Sequence, residues 1–88
     1  MSQIKKLYEK MKRRPTPTDI RFDEIHRILT AYGFIQKTSS GGSHYVYEHP
    51  ELEYKLTIAK DSKVKKGYVR ETIKAIEIIR DLYEGELF

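Results

Sequence analysis

The three histidines are the side chains of this sequence best suited to moving protons, because an imidazole titrates near neutral pH and can accept a proton and return it. Their settings differ. His44 follows Gly41-Gly42-Ser43 and opens a run rich in aromatic and β-branched residues, which places it at the start of a predicted strand. The small residues before it let a ligand approach the backbone closely. A histidine so placed can take the proton of a ribose 2′-hydroxyl, which then attacks the adjacent phosphorus, while nearby cations stabilise the charge growing on the phosphate oxygens. Such chemistry requires no metal and no cofactor. Taken by itself, a strand histidine bonded to a neighbouring carbonyl is the plainer reading of His44. Ser43 makes a poor nucleophile for it, since consecutive strand residues face opposite sides. A serine hydrolase is therefore disfavoured. His26 falls on a predicted helix among charged residues, and His49 precedes Pro50 in a turn, where it is expected to serve local hydrogen bonding. The three histidines lie on different elements without ligand spacing, and the chain has no cysteine, so a metal centre, a thiolate nucleophile and a disulfide framework are all unexpected.

The 88 residues carry 17 basic and 13 acidic side chains, a net charge of +4, with 39% hydrophobic residues. One modest globular core fits that length and composition. No apolar run approaches the roughly 20 residues of a membrane-spanning helix, and the lysine-rich start lacks the apolar stretch of a secretion signal, so a cytoplasmic protein is expected. The charge is segregated. Residues 1–14 sum to +5 and residues 55–66 to +4, which leaves the rest of the chain at −5. Such clusters are expected to meet a polyanion, either nucleic acid or an acidic protein partner.

Ile4, Leu7, Tyr8 and Met11 recur at helical spacing, which predicts a short amphipathic helix with a basic outer face, stopped by Pro15 and Pro17. Residues 1–18 are thus read as a basic helix and linker preceding the main domain, 19–88. Docking of this helix through its apolar side chains is the commoner outcome. Phe22, Ile25, Ile28, Leu29 and Tyr32 mark a second helix ended by Gly33. The period then becomes alternating. Strands are predicted from Phe34 to Thr38, from His44 to Glu48 and over residues 54–59, followed by a basic loop over 60–67 and a long helix from Tyr68 with Val69, Ile73, Ile76 and Ile79 on one face.

This order predicts an α+β fold, with a three-stranded antiparallel sheet, two helices on one face and the other face open. Tyr45, Tyr47, Tyr54, Leu56 and Ile58 are assigned to the helix side. His44, Lys55 and Thr57 then lie on or beside the open face, with Lys37 nearby. Lys60, Lys63, Lys65 and Lys66 form a loop able to hold phosphates, helped by backbone donors at the start of the last helix. A merely solvated lysine loop is the plain alternative. Most of the seven tyrosines are expected in the core rather than stacked on bases.

The run Gly42-Ser43-His44-Tyr45-Val46-Tyr47, then His49-Pro50, Leu56-Thr57-Ile58-Ala59 and Lys65-Lys66-Gly67, set between a helix ending Tyr32-Gly33-Phe34 and a final helix, resembles the HicA family of toxins. The resemblance spans about residues 22–79, and its most specific piece is the Gly-Ser-His triplet in this context. It implies a fold like the double-stranded RNA-binding domain, α-β-β-β-α, with residues 1–17 as an extension. It also implies an mRNA interferase with His44 as catalytic residue, neutralised by a HicB-type antitoxin. Many members carry a second histidine or a basic residue where this chain has Tyr45. The expected substrate is single-stranded mRNA, since a duplex holds the 2′-hydroxyl away from the in-line direction. Lys37, Gly42, Ser43, Lys55, Lys60, Lys65 and Lys66 are the expected RNA contacts. Two other classes compete with the enzyme: a non-catalytic RNA-binding module on the same scaffold, and a protein-interaction domain whose basic surface meets only an acidic partner.

Overall fold

The computed structural model describes residues 3–38, 44–60 and 63–83. Its elements run α1 (Gln3–Met11), α2 (Phe22–Ala31), β1 (Ile35–Thr38), β2 (His44–Glu48), β3 (Leu56–Ala59) and α3 (Lys66–Tyr83). The fold is the α+β arrangement expected, with α2 before the sheet and α3 after it, as in the double-stranded RNA-binding domain. The strands form an antiparallel meander in the order β1-β2-β3.

Side-chain alternation divides the sheet into two faces. Tyr47 pairs with Gln36 on β1 and Leu56 on β3, and Tyr45 pairs with Ile58. Tyr47, Leu56 and Ile58 are buried with Ile25, Ile28 and Leu29 of α2 and Val69, Ile76 and Ile79 of α3. The opposite face carries Ile35, Lys37, His44 and Thr57, all exposed, and half-buried Val46. One face builds the core and the other stays open.

Local chemistry fixes where α2 begins and ends. The Arg21 N–H donates to Glu24 Oε1 at 2.9 Å, which satisfies a donor that the first turn leaves without a helical partner. At the far end Gly33 takes a φ of +92°. Phe34 N–H then reaches Leu29 O at 3.0 Å and Gly33 N–H reaches Thr30 O at 3.1 Å, closing a Schellman motif whose flanking apolar residues, Leu29 and Phe34, are both buried. This turn aims the chain directly into β1.

The extension docks. Leu7, Tyr8 and Met11 are buried in the same cluster as α2 and α3. Tyr8 donates its hydroxyl hydrogen to Glu77 Oε2 at 2.9 Å, the Arg80 guanidinium lies 4.7 Å from the Tyr8 ring centre, and Lys10 pairs with Glu24 at 3.2 Å. Burial, followed by the bond to Glu77, raises the Tyr8 phenol above its ordinary pKa. Helix α1 therefore shares one apolar core with the domain that follows it.

Three expectations change. Tyr54 is 40% exposed and precedes β3, which starts at Leu56 rather than at residue 54. The cause is a turn after β2 in which Leu52 N–H bonds to His49 O at 3.0 Å, so Leu52 takes the core position. The basic segment is shorter than its charge pattern suggests, because α3 begins at Lys66 and Val64 is buried, its N–H 2.7 Å from Ile20 O. Finally, Ile20, just before the second helix, is fully buried, although the apolar spacing of that helix begins only at Phe22.

Candidate functional site

His44 is the first residue of β2, and its partner across the sheet is Ala59, the last residue of β3. The methyl group of Ala59 adds little bulk beside the imidazole, which is exposed on the open face. Several chain ends meet here. Phe22, which opens α2, packs on Tyr45 with ring centres 5.2 Å apart, and the bond from Val64 to Ile20 ties the start of α3 to the start of α2. The amino ends of both helices thus lie at the His44 end of the sheet; that of α2 is capped by Glu24 and carries Asp23, whereas that of α3 has no acidic residue in its first turn and can favour anions. The imidazole, the start of α3 and the lysines around it form a rim at this end of the sheet.

The expected RNA contacts divide by position. Lys37 pairs with Val46, two residues from His44 on the same open face, about 7 Å along the strand. Lys65 and Lys66 are exposed, with Lys66 opening α3. Lys60 follows Ala59 and so lies at the His44 end, but its ammonium turns to the helix side, 5.9 Å from the Phe22 ring centre and 5.7 Å from that of Tyr45. Lys55 is not brought to His44. It precedes β3, roughly 13 Å along the strand from Ala59, and its Nζ lies 3.6 Å from Glu48 Oε2. Gly42 and Ser43 lie outside the described residues, as do residues 39–41.

The Phe22–Tyr45 pair under Lys60 is a part of this rim that the sequence reading did not single out. It had placed Tyr45 simply in the core. The signal was the register: Tyr45 pairs with Ile58, and Lys60, two residues further on, falls diagonally over the same face.

The other histidines are committed elsewhere. His26 Nδ1 lies 2.9 Å from the Tyr47 hydroxyl, which in turn lies 3.3 Å from Gln36 Nε2, so a side-chain network joins α2, β1 and β2. Burial pushes the Tyr47 phenol up to about 12, against a lowering by the Gln36 hydrogen bond. The hydroxyl keeps its proton and can accept from Gln36 while donating to His26. His49 is 7% exposed; its Nδ1 accepts from Glu51 N–H at 3.0 Å, and its Nε2 sits 3.0 Å from Tyr32 O. Those partners dictate a neutral ring with hydrogen on Nε2. Among the described residues no three His, Cys, Asp or Glu side chains converge in a way that could hold a metal ion, and no helix is long and apolar enough to cross a membrane.

The family model described as the HicA toxin of bacterial toxin–antitoxin systems matches residues 22–78. The match starts at the first residue of α2, takes in the whole sheet and runs through most of α3, while α1 lies before it. No curated protein and no solved structure shows significant similarity to the chain. With α2, the whole sheet and most of α3 inside the matched residues, the chain belongs to the HicA family of bacterial toxin–antitoxin toxins.

Proposed function

We propose that this toxin is a metal-independent endoribonuclease that cuts single-stranded mRNA, with His44 as the proton-transferring residue. The observation that carries the reading is the placement of an exposed imidazole at the sheet end where α3 begins with the exposed lysines 65 and 66. The imidazole takes the 2′-hydroxyl proton, the oxygen bonds to the adjacent phosphorus, and the bond from phosphorus to the 5′-oxygen breaks. That oxygen leaves with the proton returned by the imidazolium. One product ends in a cyclic phosphate. Lys37, Lys65 and Lys66 bind the backbone and offset negative charge that grows on the phosphate oxygens, and Gly42 and Ser43 are further RNA contacts. Lys60 and the rings beneath it hold the neighbouring nucleotide, and Lys55 serves the far edge of the open face.

The substrate is single-stranded because in-line attack needs a ribose free to rotate, which an A-form duplex denies. Among the described residues nothing on the open face resembles a set of base-reading pockets, and we take sequence preference to be weak. A HicB-type antitoxin neutralises the toxin by covering the His44 end, and the work is done in the cytoplasm where mRNA is translated. The test is incubation of the purified protein with a single strand and with its duplex in the presence of a chelator. Cleavage of the single strand to cyclic phosphate ends is expected, and added antitoxin should stop it. Products ending in a 3′-hydroxyl, or activity only on duplex, would overturn the mechanism.

A further inference from the structure

The extension builds a second concave surface away from His44. Lys12, Arg13 and Arg14, just past the end of α1, face Arg70 and Lys74 on α3 across a groove also lined by Met11, Ile73 and Glu77. Five cations meet one carboxylate there, and Glu77 already accepts the Tyr8 hydrogen bond. Among the described residues none of the five cations forms an ion pair. Lys66, Arg70 and Lys74 are all exposed and spaced four residues apart, so they form one stripe down α3. The stripe runs from the helix start at the His44 end to the groove, a distance of about 12 Å.

We propose that this groove is a second binding track for the RNA backbone, which holds the strand as it leaves the His44 end along α3. The inference rests on the ribonuclease reading and adds a role for residues 12–14 of the extension. Two observations favour a phosphate chain over an acidic protein. The track is continuous with the lysines at the start of α3, and its apolar lining, Met11 and Ile73, is buried, so the groove offers charge with no exposed apolar anchor. A phosphodiester backbone is held by charge alone, whereas protein partners need desolvated apolar or aromatic anchors.

The test compares wild type with the variant Arg13→Gln, Arg14→Gln, Arg70→Gln and Lys74→Gln, using single-stranded RNAs of about four and about twenty nucleotides. Binding is read across a salt series, cleavage is read in parallel, and thermal unfolding checks that the variant folds. For the longer strand, loss of four phosphate contacts should weaken affinity roughly ten- to a hundred-fold at low salt and flatten the log–log salt slope by about 2 to 3. Cleavage of the short strand should be unchanged. Equal affinity and slope for the longer strand would overturn the track, as would an effect confined to binding of an acidic peptide. Should the variant not fold, the separate pairs Arg13→Gln/Arg14→Gln and Arg70→Gln/Lys74→Gln must each give part of the effect, and no effect in both overturns the proposal. Wild type that binds the longer strand through the groove yet cuts nothing refutes the ribonuclease reading and leaves the track standing. Wild type that neither binds nor cuts refutes both.

Discussion

Strand β2 has a histidine at each end, and the two have opposite fates. His44 opens the strand, exposed on the uncovered face beside the small Ala59. His49 follows the strand's last residue and is buried beneath Gly33, bridging Tyr32 O and Glu51 N–H. They stand five positions apart in sequence, and an odd offset along extended backbone already sends two side chains to opposite faces. The same side chain is thus exposed at one end, where we propose it acts as the reagent, and a buried brace at the other. At His49 the acceptor bond from Glu51 and the donor bond to Tyr32 leave no nitrogen for a substrate.

The sharpest way to break this contrast is to remove each ring in turn. His44→Ala is expected to lower RNA cleavage by roughly 10²- to 10⁴-fold, while urea unfolding changes by no more than about 0.5 kcal/mol. His49→Ala should do the reverse, costing about 3 kcal/mol in urea unfolding, since it empties a buried site and strands the Tyr32 carbonyl and the Glu51 N–H. The protein that remains folded should still cut. If stability falls at His44 and activity alone falls at His49, the assignment of the two ends is inverted.

The brace can be probed without touching either histidine. A Cβ at Gly33 would stand 3.2 Å from His49 Nε2, and the backbone there holds a φ of +92°. Gly33→Ala should therefore cost about 1 to 2 kcal/mol, measured by the same unfolding assay. A smaller effect is expected from Tyr47→Phe, which removes the link between His26 and Gln36 and should cost about 1 kcal/mol without loss of cleavage by the folded protein.

Alkaline pH gives a separate check on the buried side of the sheet. Burial raises both Tyr32 and Tyr47 to about 12 from the ordinary 10. Between those values the folded state holds protons that the unfolded state has released, so stability falls as pH rises from 10 to 12. Below 10 the contribution is complete. The double substitution Tyr32→Phe with Tyr47→Phe should flatten that decline, as followed by the urea midpoint against pH.

The same distinction between ends explains what the sequence made legible. Helical spacing and the change to alternation after Gly33 located α2 and the first two strands, because in each case a strong local period agreed with a strong local punctuation signal. The pairing of His44, Val46 and Thr57 with the open face followed from alternation alone. Tyr54 was misplaced because alternation was extended back through a turn whose geometry depends on His49 O and Nδ1, partners invisible in a periodic pattern. Ile20 and Val64 escaped notice since each is a lone apolar residue between polar neighbours; in the fold a backbone bond joins them and both lie in the core. For the candidate site, side-chain type and strand parity gave the position of His44, but not that Glu48 would hold Lys55 or that two rings would draw Lys60 to the helix side. Those choices are made by contacts across strands, which one-dimensional charge clusters do not encode.

The most direct test of the division between the two histidines is the rate at which His44→Gly cuts single-stranded RNA as free imidazole is added. If the ring at the open end of β2 moves the proton, cleavage should be negligible without imidazole and rise with its concentration. A variant that cuts at the wild-type rate in the absence of imidazole would contradict the account.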